Sequence, residues 1–201
     1  MKRNQWLTVA AAALTLALQP TSSHAGPYIA IDGGAFMFGD LDVNDIGIGV
    51  DTGYGINFAL GFRGESGFGV ELQSGYYSND FSGDFGLLGT RVNIDGDVST
   101  VPLFVNANYK GTLIGPLSIE LGAGAGVIFT SIDASATANF GGRTFRVNES
   151  ESTSEFGLQG LAGLHLDLGS NIALKAGYRY YRLIDSEVNG HFVGGGLVIN
   201  F

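Results

Sequence analysis

The sequence predicts an all-β fold, a transmembrane antiparallel up-and-down β-barrel of eight strands, and three observations carry that prediction. The chain of 201 residues is 45% hydrophobic but only 14% charged, well short of the ~25% charged residues usual in a soluble domain. Beyond its N-terminus it nevertheless lacks the ~18 consecutive apolar residues of a spanning helix. Its apolar residues instead recur at every second position, the period of a strand with two unlike faces. The links between these stretches alternate between short and long. The absence of cysteine and the net charge of −9 exclude disulfide frameworks, thiol nucleophiles and cysteine zinc sites, and argue against nucleic acid as a partner.

The first element is a targeting segment. Lys2 and Arg3 precede an apolar run from Leu7 to Leu18, and Ser23-His24-Ala25 has the small residues of a cleavage site. This is the anatomy of a secretory signal, and the run is too short to cross a membrane. Residues 1–25 are therefore read as a signal peptide and 26–201 as the barrel domain. Removing Lys2 and Arg3 leaves a still more acidic chain, and no lipid-anchor cysteine follows.

Eight alternating stretches come next: 28–38, 54–63, 68–78, 101–110, 117–130, 156–168, 172–182 and 191–201. In the second, Tyr54, Ile56, Phe58, Leu60 and Phe62 share one face, and Gly55, Asn57, Ala59, Gly61 and Arg63 the other. A half-buried soluble sheet also alternates, but its weaker face is usually dense in Lys, Glu and Thr. Here that face is glycine with scattered charges, which suits a narrow lumen surrounded by apolar residues facing lipid. Each stretch is near or above the ~9–11 residues of a tilted membrane strand.

Two turns fix registers that can be checked. Closing Gly169-Ser170-Asn171 as a three-residue loop pairs Leu166 with Leu174 and Ala162 with Tyr178. Closing Gly141-Gly142 as a two-residue hairpin pairs Val127 with Phe156, Ala125 with Leu158 and Ile119 with Leu164, provided no bulge intervenes. Since a one-residue slip would turn every side chain to the other face, the apolar agreement is informative. Short links fall at 64–67, 111–116 and 169–171, and long loops at 39–53, 79–99, 131–155 and 183–190. That asymmetry places the short turns and both termini on the periplasmic side. Ten strands would require 134–140 and 143–149 to enter the membrane, against their Ser, Thr, Asn and Arg content.

On these residues the chain resembles the small eight-stranded outer-membrane barrels of Gram-negative bacteria, the porin-like and OmpA-type domains. Its most specific element is the ending, His191-Phe-Val-Gly-Gly-Gly-Leu-Val-Ile-Asn-Phe201, where Val193, Leu197, Ile199 and Phe201 resemble the signal read by the barrel assembly machinery. No peptidoglycan-binding domain is expected after it. The resemblance implies residence among outer-membrane lipids and lipopolysaccharide, a monomer, and no cofactor. It implies activity poorly, because such barrels serve as adhesins, scaffolds, pores and lipid-modifying enzymes.

The candidate lumen residues are Arg63, Glu71, Glu120, Lys175 and Arg179. Glu71, Glu120 and Lys175 each stand three residues from a short turn, so a common depth and ion pairing are expected. The first reading is a structural plug; the second is an ion path opened by exchange of partners. Ser118, His165 and Asp167 tempt a catalytic reading, but Asp167 is poorly placed to orient the imidazole, and all three point away from lipid. A hydrogen-bonded interior histidine is expected instead. Asp40, Asp42, Asn44, Asp45 and Asp51 imitate a calcium loop only in part, with Asp45 where glycine is needed and Asp51 where a bidentate Glu belongs. No catalytic, cofactor or metal residue is assigned.

Gly122, Gly124 and Gly126 suggest close packing beneath Tyr77 or Tyr181. Outward Tyr54, Tyr76, Tyr109, Tyr178 and Phe201 suit an interfacial girdle. The expected role is a non-enzymatic surface protein of the outer membrane, with structural, envelope-integrity or adhesion character. Its recognition segment is expected at 131–155, a protruding hairpin whose edges can accept a partner strand. A small cation-preferring porin is the alternative, and a lipid A-modifying enzyme the third reading.

Overall fold

The computed structural model describes residues 25–38, 49–87, 90–140, 143–186 and 188–201. The expected signal segment, apart from Ala25, and the acidic run from Asp40 to Asp45 lie outside the described residues. Eight long strands form the wall: β1 (Gly26–Phe38), β2 (Gly53–Arg63), β3 (Phe68–Leu87), β4 (Thr90–Ile114), β5 (Leu117–Phe140), β6 (Arg143–Asp167), β7 (Ile172–Leu183) and β8 (Asn189–Asn200). Each pairs antiparallel with its sequence neighbour, and β1 pairs with β8 to close the ring.

The alternation in the sequence becomes the two surfaces of the wall. Along β2, Tyr54, Ile56, Phe58, Leu60 and Phe62 are between 44% and 64% exposed, whereas Asn57, Ala59 and Arg63 are at most 2% exposed. Apolar side chains outside and polar ones inside is the polarity of a barrel in lipid, opposite to that of a soluble sandwich. Closure leaves no edge at membrane depth, so backbone N–H and C=O groups are satisfied strand to strand.

The expected registers are present: Leu166 opposes Leu174 and Ala162 opposes Tyr178, while Val127 opposes Phe156, Ala125 opposes Leu158 and Ile119 opposes Leu164. The hairpin from Phe140↔Arg143 down to these pairs contains no bulge. An irregularity falls instead between Thr112 and Ile114, at the foot of β4. There the chain reverses through Gly115, whose φ of +54° favours glycine. Gly67, with φ of +85°, does the same before β3.

The sequence reading is corrected at the outer ends. Residues 79–99, expected as a long loop, are strand as far as Leu87 and again from Thr90, whereas the hairpin expected within 131–155 is present, strand apart from the undescribed pair at 141–142. These lengths continue β3, β4, β5 and β6 into one four-stranded wing above the barrel, with Ser78, Ser99, Ser131 and Ser152 side by side across it. Gly49 and Val50 add a short fifth piece against Ser82 and Phe81. The composition of small polar residues resembles that of a loop, but each segment is held in the ladder by its neighbours, and tertiary pairing overrides propensity. A 25-residue strand such as β6 extends about 80 Å at ~3.3 Å per residue, against an apolar band only ~25 Å tall. The segments 134–140 and 143–149 therefore prolong β5 and β6 and add no ninth or tenth strand to the ring.

Candidate functional site: the filled lumen

Inward side chains fill the barrel in stacked tiers. Towards the short-turn end, Tyr28, Ala30, Ala59, Ala173 and Val198 pack together. Beside them Lys110 Nζ donates to Asp167 Oδ1 at 2.8 Å. Next to it lies an ion cluster centred on Glu120, which is 1% exposed. Its Oε1 accepts from Arg63 Nη2 at 2.7 Å, and its Oε2 from Lys175 Nζ at 2.6 Å and from His165 Nε2 at 3.0 Å. The Arg63 guanidinium also sits over the Tyr28 ring, 4.6 Å from its centroid.

A further charged pair ties β7 to β1. Arg179 grips Asp32 with both terminal nitrogens, at 2.8 and 2.9 Å. This fork geometry is the strong form of the interaction. Asn57 donates to the same carboxylate at 2.9 Å. Amides then link wall to wall: Gln73 donates to Asn57 Oδ1 at 3.0 Å and to the Tyr181 hydroxyl at 3.2 Å, and Gln159 donates to Gln73 Oε1 at 2.8 Å and Asn106 Oδ1 at 3.0 Å. Each member is buried, so each bond replaces water that the lumen excludes.

The outer tier is apolar. Phe36, Tyr77, Phe104, Ile128, Tyr181 and Phe192 form one buried cluster, with Phe36 stacked on Tyr77 at 4.3 Å between centroids. The hydroxyls of Tyr77 and Tyr181 touch each other, and Tyr77 donates to Asn57 Oδ1 at 2.5 Å. The cavity left around these rings is about 10 Å³, room for about one water molecule.

The expected lumen residues thus divide among three places. Arg63, Glu120 and Lys175 meet. Arg179 meets Asp32, which the sequence reading did not single out. Glu71 joins neither: its oxygens accept from the Tyr28 hydroxyl and from Asn106, both at 3.0 Å. Ion pairing of Glu71 is therefore corrected, and it has no salt-bridge partner among the described residues. It sits on β3 and Glu120 on β5, so equal distance from a turn did not mean contact around the circumference. Ser118 lies opposite His165 as expected, yet the three-residue relay does not form. His165 turns to Glu120, while Ser118 contacts Asp167 at 3.4 Å.

The close packing expected of Gly122, Gly124 and Gly126 is present with different neighbours. A Cβ on Gly124 would collide with Asn106 Oδ1, and one on Gly122 with Asn108. Their directly opposed β4 residues lean over them, rather than Tyr77 or Tyr181. Tyr28 lies against Gly61 in the same way. Gly61→Val is therefore expected to displace Tyr28 from Glu71 and lower stability by about 1–3 kcal/mol, read as a lower urea midpoint, with Tyr28→Ala in the same chain partly restoring it.

On the outside, Tyr54, Tyr76, Tyr178 and Phe201 are exposed, while Tyr109 is half-buried against Phe68. Val193, Leu197, Ile199 and Phe201 all face outward along the end of the chain.

The family model for the outer membrane protein beta-barrel domain matches residues 7–201. The chain belongs to that family. This outer-membrane barrel is similar in fold to Neisserial surface protein A, NspA, at 18% identity, with 90% of this chain and 100% of that one covered and a TM-score of 0.56. It is likewise similar to OprG of Pseudomonas aeruginosa, at 16% identity, 88% and 97% coverage and a TM-score of 0.54. Comparison with curated proteins gives no match. The barrel is a bacterial outer-membrane protein, and lipid and lipopolysaccharide are its surroundings.

Proposed function

We propose that this barrel is a non-conducting, non-enzymatic surface protein whose wing makes the contacts on which adhesion or envelope integrity depends. The observation that carries this reading is the contrast between a lumen filled in tiers and a wing of strands continued far beyond the apolar band. In the lumen, the Ser118–His165–Asp167 set is committed to other bonds: His165 to Glu120, and Asp167 to Lys110 and Ser118. The wing's outer edge is the open side of β6, whose pairing with β7 begins only at Gly157. Among the described residues, 143–155 pair on one side alone, so their backbone groups can receive an extended strand.

Charge sets the choice of partner. Asp80, Asp97 and Asp133 stand directly opposite one another across three strands on one face of the wing, and Glu149 and Glu151 stand on its other face, opposite Ala134 and Ile132. Both faces repel anions and attract cationic segments, with salt screening the effect. The barrel acts as a monomer in this reading, with residues 1–25 removed on export. The outward row Val193, Leu197, Ile199 and Phe201 is what the assembly machinery engages.

Two measurements test the proposal. Refolded protein in a planar bilayer is expected to give no current steps once insertion is verified; stable cation-selective steps would transfer the function to a small porin. Replacing Ser135–Asn148 by Asn-Gly joins Ala134 to Glu149 in their existing register. Cells carrying that variant are expected to lose the adherence or detergent resistance conferred by the wild type. Retention of both would end the adhesion and envelope reading.

A further inference from the structure

Above the aromatic tier the barrel opens into a small vestibule of about 190 Å³. Its wall is apolar: Phe38, Val98, Ile132, Leu183 and Val188 converge there, and Glu155 is the one ionisable lining group among the described residues. Phe38 and Leu183 also pack on the buried rings below, so the space is a blind recess with a solid floor. Ile132 is 39% exposed although it is a large β-branched residue on the inward face of the wing. Thr130, Thr153 and Ser186 supply hydroxyls at the margin.

A water-facing recess of this composition is costly to leave bare, and concave apolar sites with a few fixed polar groups are where small molecules bind. The volume sets the size. An apolar cavity of ~150 Å³ takes benzene, so the vestibule holds a single ring or a short branched chain, and a lipid tail is far too long to fit. The charge sets the polarity. Glu155 is anchored at the rim, where its Oε2 accepts the Ser186 backbone N–H at 3.0 Å, and among the described residues no basic one lines the recess. We infer that the vestibule is a binding site for small apolar amines, with the ring or alkyl body against Val98, Ile132 and Leu183 and the ammonium at Glu155. The inference is independent of the wing's role in adhesion, because it needs only the recess and its floor.

The test uses the full mature barrel in lipid nanodiscs with labelled Ile, Leu and Val methyl groups, titrated with 2-phenylethylamine and with 3-phenylpropionate. The amine is expected to shift the Ile132, Val98 and Leu183 methyls saturably, and the acid of similar shape to bind at least tenfold more weakly. Ile132→Trp, which fills the recess from an exposed position, is expected to weaken the amine at least tenfold. Glu155→Gln is expected to remove the preference for amine over acid while leaving the barrel's heat-dependent gel migration unchanged. Shifts spread over lipid-facing methyls without saturation would overturn the site. Equal binding of amine and acid to the wild type would overturn the ligand class.

Discussion

Glu120→Gln is expected to destabilise the barrel by about 3–5 kcal/mol, seen as a large fall in the urea midpoint of the refolded protein. The carboxylate is the common partner of Arg63, Lys175 and His165, and each of these is almost wholly buried. Removing its charge leaves two cations facing each other in a medium that screens poorly. Glu71→Gln is expected to cost less, about 1–3 kcal/mol, because its partners Tyr28 and Asn106 are neutral. Adding Lys175→Met to Glu120→Gln takes away one stranded cation and should recover part of the loss. Equal midpoints for the two single variants would mean that the charges of the Glu120 cluster do not hold the lumen together.

The second large effect concerns the aromatic tier. Phe192 is fully buried, faces Tyr77 at 5.8 Å between ring centroids and carries the Arg179 guanidinium against its ring face. Phe192→Ala is expected to cost about 3–5 kcal/mol, since both the transfer of the ring and the cavity it leaves count against the folded state. The variant should nonetheless stay silent in a planar bilayer. Beneath it the chain Tyr181–Gln73–Gln159–Asn106 crosses the lumen by hydrogen bonds and closes it again. Current is expected only when Phe192→Ala is combined with Gln73→Ala and Gln159→Ala. Steps from the single variant would show one closure where the structure has two in series.

What the sequence made legible, and what it did not, follows from which interactions are local. The membrane strands were readable because lipid on one side forces an apolar residue at every second position, and the Gly169–Asn171 turn then fixed the pairing of β6 with β7. Glu120, Lys175 and Arg63 were readable as inward charges for the same reason. The pairing of Glu120 with Lys175 followed from their common depth, but the partner of Arg179 did not. Arg179 and Asp32 lie 147 residues apart in the chain, and their contact depends on how far each strand is staggered around the ring. The wing was misread at 79–99 because Ser, Asn, Asp and Gly interrupt the alternation there, although Phe81, Phe85 and Leu87 on one strand and Val92, Ile94 and Val98 on the next do share a face. With water on both sides no alternation is demanded, and only the neighbouring strands hold the segment extended. The vestibule was invisible for a further reason: Phe38, Val98, Ile132 and Leu183 come from four different strands.

The pairing of β1 with β8 runs from Tyr28↔Asn200 to Phe38↔Gly190, joining the two most distant parts of the domain. Until that seam forms, two strand margins carry unmatched amide and carbonyl groups, each costing several kcal/mol if immersed in hydrocarbon. A barrel with seven strands in place is thus a high-energy species rather than a nearly finished one. Insertion must be concerted, with the lateral opening shielded until the last hairpin arrives, and loops of this span close slowly. The stability of the whole wall therefore has the character of a zipper sealed by its final teeth: loosening Ala30, Ile31 or Val198 at the seam acts on the existence of the barrel, not on one corner of it.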